Sequence, residues 1–203
     1  PRREERLAQL VADCEGVEPL TPAAHANLWR RAALAGNPAA MKQYASGNAF
    51  RWDSMMEALP ELAQFRNEAL PMALEVARLG DMEMLAALAA AYSPLAQQRR
   101  RLLAQTVTPD GAMSLALYWR LLEAVDVHET AGNEGLRQQI GDVVESLTAT
   151  LSGPELERAR HIADTELAHW REPGALPRGR GFRPDGAVAD IHPRLCEHDA
   201  ATQ

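Results

Sequence analysis

Trp29-Arg30-Arg31-Ala32-Ala33-Leu34-Ala35-Gly36-Asn37-Pro38-Ala39-Ala40-Met41, followed by Tyr44-Ala45-Ser46-Gly47, has a counterpart 44 residues further on. That counterpart is Ala73-Leu74-Glu75-Val76-Ala77-Arg78-Leu79-Gly80-Asp81-Met82-Glu83-Met84-Leu85, followed by Leu88-Ala89-Ala90-Ala91-Tyr92. In each copy an Ala/Leu-rich helix stops at a glycine, a polar residue follows, and a second helix of small residues begins. Glycine permits the left-handed backbone of a tight reversal. Small residues let the two helices of a hairpin approach closely. A lone hairpin cannot cover its apolar face, so copies at this spacing are expected to stack.

Similar punctuation extends outward in both directions. Leu7, Leu10, Val11 and Cys14 recur at helical spacing, which predicts an opening helix over residues 3–15 closed by Gly16. Thr21-Pro22 reads as an N-cap with proline in the first turn. Residues 48–60 read as a connector, with a short helix near Met55–Leu59. Pro60 and Pro71 each restart a helix, or Pro71 kinks one continuous helix. Residues Leu95 to Gln105 are expected to be helical, and Thr108-Pro109-Asp110 repeats the cap-and-proline signal. Gly132-Asn133 marks a turn before Leu136, Ile140, Val143, Val144, Leu147 and Leu151, which share one face of a long helix. Ser152-Gly153-Pro154-Glu155 is a capping box that launches a last helix carrying Leu156, Ala159, Ile162, Ala163, Leu167 and Trp170. Four prolines and four glycines break residues 172–203 into an extended tail, and no strand pattern appears. The expected division is a helical-repeat domain over 1–171, with the clearest repeats at 22–47 and 71–92, and a tail over 172–203.

On these residues the chain resembles the Sel-like repeat family, relatives of the tetratricopeptide repeats. Ala32, Ala33, Gly36, Asn37, Ala40, Tyr44 and Gly47 follow its turn-and-return pattern, and Ala77, Gly80, Asp81, Leu85, Leu88 and Tyr92 follow it less fully. Asp110, Ala116, Leu117 and Trp119 look like the outgoing arm of a degenerate third unit. The segment from Leu151 to Trp170 is similar to the closing helix of bacterial members. The resemblance implies an all-α, right-handed superhelix of stacked hairpins. It also implies an adaptor in signalling, secretion, envelope or host-interaction pathways.

Composition agrees with that class. The 203 residues are 46% hydrophobic, 24% charged and only 5% aromatic, which suits close-packed helices. No apolar run approaches the roughly 18 residues of a membrane span. A net charge of -7 speaks against nucleic acid as a partner, because phosphate contacts need a basic surface. One Arg178-Gly179-Arg180-Gly181-Phe182-Arg183 stretch has the pattern of a flexible nucleic-acid-binding segment, but docking on the protein's own acidic surface explains it better. Arg99-Arg100-Arg101 fans around a helix axis and reads as solvated.

Chemistry-bearing residues are scattered. His161 and His169 stand eight apart, too far along a helix to share one metal, and His25 and His128 are isolated. His192, Cys196 and His198 carry the donor types for zinc, at a spacing that matches none of its standard signatures. No nucleophile elbow, phosphate loop or metalloprotease motif is present, so no catalytic set and no cofactor is expected. Cys14 and Cys196 are too few for a disulfide framework; one bridge or two free thiols both fit. The chain starts at Pro1, as it would after removal of a signal peptide or at a segment boundary. A bridged pair favours a periplasmic or exported protein and free thiols a cytoplasmic one; the first is the expectation.

The functional expectation is therefore a non-catalytic adaptor or regulatory subunit that receives a protein or peptide in a helical-repeat groove. Asn37, Tyr44, Arg51, Trp52 and Asp81 are the expected lining. Trp119 and Trp170 are expected in the core, and Met55, Met56, Met82 and Met84 supply adaptable surface wherever exposed. The alternative is an envelope ligand- or metal-binding protein that uses His192, Cys196 and His198.

Overall fold

The computed structural model describes Glu4, Glu5, Ala12, Gly16 and residues 20–127 and 134–174. Among these the chain is all-α. The helices are α1 (Pro22–Leu34), α2 (Pro38–Ala45), α3 (Leu59–Arg78), α4 (Met82–Tyr92), α5 (Gly111–Val127), α6 (Glu134–Thr150) and α7 (Gly153–His161). Short 3₁₀ turns occupy Trp52–Ala58, Ala96–Gln98 and Leu102–Gln105, and a π turn at Ile162–Glu166 extends α7. Most of the expected opening helix, the Gly132-Asn133 turn and residues 175–203 lie outside the described residues.

The repeated turns are built alike. Gly36 has φ of 84° and Gly80 of 89°, the left-handed conformation that glycine adopts without cost. The Gly36 and Asn37 N–H groups donate to Ala33 and Ala32, and those of Gly80 and Asp81 donate to Ala77 and Val76. Both are Schellman closures. Asn37 and Asp81 share φ -76° and ψ 114°, and each accepts with its side chain from the N–H three residues on, Ala40 and Met84. One residue thus closes the outgoing helix with its N–H and caps the return helix with its carbonyl or carboxylate oxygen. That double duty explains the Gly-Asn/Gly-Asp pair. Lys42 reaches from α2 to Asp81 at 3.0 Å and Glu83 at 2.9 Å, linking one hairpin to the next. Desolvation works against the Lys42 charge, but its hydrogen bonds to those carboxylates outweigh it and raise its pKa.

Consecutive helices pack in chain order as far as α6, whereas α7 packs on α5. Apart from Glu83 in its first turn, helix α4 is apolar all round and lies between α3, α5 and the Leu102–Gln105 turn; residues 84–91 are all buried. Its five alanines keep it slim enough for that position. Tyr44, Phe50 and Phe65 form an aromatic cluster with ring centroids 5.3–6.0 Å apart. Beside it, Arg30 of α1 makes a two-pronged pair with Glu68 of α3 at 2.6 and 2.7 Å. On α7 the capping box forms as expected, through Ser152 and Glu155.

Three sequence expectations are corrected. Residues 95–105 do not form a helix: two 3₁₀ turns flank Arg99, whose guanidinium donates to the carbonyls of Ala91, Ala104 and Val107. Those acceptors come from the end of α4 and from the following loop, so Arg99 is structural and not simply solvated. The cap of α5 is Asp110, which accepts from Met113 N–H at 3.1 Å and pairs with Arg158 of α7, whereas Thr108 stands outside the helix. Of the two readings of Pro71 the continuous helix is the one that holds: α3 runs through it with the proline on the exposed face, where water can serve the carbonyl left without its donor. Trp119 and Trp170 are only partly buried at the edge of the core.

Candidate functional site

Three segments leave an apolar cleft of about 390 Å³. The Trp52–Ala58 turn contributes Trp52, Met55 and Met56 to its wall. Helix α3 contributes Leu59, Leu62, Phe65 and Arg66, and the Leu102–Gln105 turn contributes Leu102 and Gln105, followed by Thr106. The volume falls in the range of small-ligand and peptide-anchor pockets. Trp52 is 70% exposed, Met56 76% and Leu59 49%, while Phe65 at the floor is 1% exposed. A floor in the core and a rim of large, unpaired apolar side chains is the pattern of a surface that buries something.

The wall at Leu102 is set by Gly47, the last residue of the first repeat. With φ of 86° it lies so close that a Cβ there would stand 2.7 Å from the Leu102 Cβ. The floor is set by Tyr44, whose ring packs edge-on to Phe65. Both residues of the repeat's closing signature therefore shape the cleft from behind. Arg66 on the rim is exposed and has no ion-pair partner among the described residues.

The five expected lining residues separate. Trp52 lines this cleft. Asp81 lines a second one of about 370 Å³ between the hairpins, together with Pro38, Ala39, Lys42, Val76, Leu79 and Gly80. Tyr44 is fully buried, and its hydroxyl faces Glu68 at 3.5 Å. Burial first, and the Glu68 charge next, push its pKa well above the usual tyrosine value. Asn37 is exposed but used as a cap. Arg51 extends into solvent and pairs with Asp53 at 3.2 Å. The Ser54 hydroxyl, and after it Arg51, hold the Asp53 carboxyl below its usual range.

Of the flagged methionines, Met55 and Met56 line the cleft, whereas Met82 and Met84 are core. Leu102, Gln105 and Thr106 carry no sequence signal for a site: the first two fall in the stretch expected to be helical and Thr106 lies just past it. His25 is not isolated: it accepts from the Trp29 indole at 3.2 Å and contacts the Ala49 carbonyl at 3.2 Å, which places its proton on Nδ1. His161 and His169 are exposed, and no three His, Cys, Asp or Glu side chains gather at metal-holding distance among the described residues. His128, Cys14, His192, Cys196 and His198 lie outside those residues. Among the described residues no helix is long and apolar enough to cross a membrane. Comparison with protein-family models, curated proteins and solved structures finds no match in any of the three.

Proposed function

We propose that this protein is a non-catalytic helical-repeat adaptor of the Sel-like kind, and that the Trp52 cleft receives an apolar anchor from a protein or peptide partner. The observation that carries the reading is the grouping of Trp52, Met56 and Leu59, all largely exposed, around a cleft floored by Phe65. Tryptophan and methionine suit the role: one offers a large contact area, the other adapts its shape to the occupant. Arg66 on the rim favours an acidic residue beside the anchor. The matching Schellman turns at Gly36 and Gly80 support a stacked-hairpin, superhelical arrangement.

The test is affinity capture from the native host's extract with the wild-type chain and a Trp52→Asp, Met56→Asp double variant. Both side chains point into solvent, so the variant should keep the wild-type circular dichroism spectrum and Tm. A stoichiometric partner held by the wild type and lost from the variant is expected. The same proteins on both would remove the cleft from the interaction, and none on either would count against an adaptor.

A further inference from the structure

The Trp52 cleft carries a charge that its own molecule leaves unmatched. Its lining holds one charged side chain, Arg66, and no carboxylate. Arg66 is exposed and has no ion-pair partner among the described residues. An unpaired guanidinium beside an apolar floor selects an occupant that presents an acid next to an apolar anchor.

The chain displays that combination on the wall of the same cleft. In the Trp52–Ala58 turn, Trp52-Asp53 and Met56-Glu57 are two apolar–acidic steps four residues apart, and all four residues are exposed. Asp53 is engaged by Arg51 at 3.2 Å, whereas Glu57 has no ion-pair partner among the described residues. Glu57 and Arg66 thus belong to segments that border one cleft, carry opposite charges and do not meet within the molecule. Trp52, 70% exposed, is an indole standing beside a cavity of about 390 Å³ that has room for another. Anchor, acid, cavity and guanidinium gather around one cleft, so the surface is complementary to itself. Such a surface closes on a second copy about a two-fold axis, where each contact of one residue with another is made in both directions.

We infer that the anchor received by the Trp52 cleft comes from a second copy of this chain. Trp52 of each protomer seats over Phe65 of the other, and Glu57 of each faces Arg66 of the other, so the apolar and the ionic contact are each made twice. The pairing removes the exposed Trp52 and Met56 of both protomers from water at once. It rests on the docking role proposed for this cleft and names the occupant.

The test is sedimentation velocity of the full chain over a concentration series, with reductant present so that neither Cys14 nor Cys196 cross-links two molecules. Wild type should pass from monomer to dimer as concentration rises, and Trp52→Asp should raise the dimer dissociation constant by at least about tenfold. Glu57→Arg and Arg66→Glu should each weaken self-association by a similar factor, because each sets like charges face to face twice. Mixing these two variants in equal amounts should restore a dimer to within about threefold of wild-type affinity, since both ionic contacts of the mixed pair then join opposite charges. Recovery on mixing also shows that both variants are folded. A dimer unmoved by Trp52→Asp, or a mixture that does not recover, would overturn the inference. So would a wild type that stays monomeric. If that monomer still captures a different protein through Trp52, the cleft keeps its docking role with another occupant; if it captures nothing, both readings fall.

Discussion

Arg99 shows how far one side chain can depart from what its neighbours in sequence suggest. In a run of three arginines it turns inward and serves three carbonyls at once. Replacing it leaves those acceptors to water or to nothing. Arg99→Ala should therefore lower stability by about 2–3 kcal/mol. Arg99→Lys should recover little, because a single ammonium lacks the planar fork that reaches divergent acceptors. Arg100→Ala, at an exposed position, should change stability by under about 0.5 kcal/mol. Urea midpoints with an unchanged slope would measure all three. Nothing in the sequence separates Arg99 from Arg100, since the distinction depends on where the carbonyls of residues 91, 104 and 107 come to lie.

Tyr44 makes a second residue-scale case, with a sign that can be worked out. Its folded pKa is raised above the ordinary value of about 10, so the folded state holds its proton longer than the unfolded chain does. The resulting stability is fully present below pH 10 and is lost as pH climbs above it, by up to about 1.4 kcal/mol per unit. Tyr92, also raised by burial, acts in the same direction. Thermal melts from pH 8 to 11 should show Tyr44→Phe losing less stability with pH than the wild type. Parallel curves would mean that Tyr44 ionises as freely folded as unfolded. Its place in the repeat signature made Tyr44 visible in the sequence, but a buried core ring and a groove-lining ring leave the same signature.

At the scale of elements, the two hairpin turns form a natural experiment. Gly36 and Gly80 share backbone conformation and hydrogen bonds, yet the space beyond Gly36 is open while Gly80 faces the Glu172 carbonyl. Gly36→Ala should cost about 1 kcal/mol, the price of a β-carbon at positive φ. Gly80→Ala should cost about 1–2 kcal/mol more, because residues 171–174, a strap hydrogen-bonded to Arg78 and Gly80, must shift and lose those backbone bonds. Equal losses in chemical denaturation would show that the strap adds nothing at this turn. The turns themselves were legible because a stop at glycine and a start at Asn, Asp or Ser are governed by atoms within a few residues. The segment 95–105 departs from its expected helix for the opposite reason: its Leu, Ala, Gln and Arg residues favour a helix locally, and the contacts that oppose it include the Ala91 carbonyl of α4 and the Val107 carbonyl beyond the segment.

At the scale of the molecule, the segment that follows α7 returns to the middle of the chain, with residues 171–174 against 78–80 and Arg120 clasping from α5. Two shortened chains isolate that closure. One ending at Gly174 keeps every described strap contact. One ending at Trp170 loses Pro173 burial and the backbone hydrogen bonds from Arg171 to Arg78 and from Gly174 to Gly80, and should be less stable by about 2 kcal/mol. For a chain of this size that corresponds to a Tm lower by about 4–8 °C. Identical melting curves would mean that the strap rests on the surface without holding it.

The sequence by itself determined the helical class, both hairpin reversals and the Ser152–Glu155 capping box. Each of these is a local competition of backbone conformations, settled by side chains within one turn of helix. Tertiary structure alone decided that Met82 and Met84 are core while Trp52 and Met56 remain exposed, that Arg99 and Arg120 are structural, and that the strap after α7 crosses the second turn. Those outcomes depend on which distant surfaces compete for the same apolar area and the same carbonyl oxygens, and that competition begins only once the hairpins have packed.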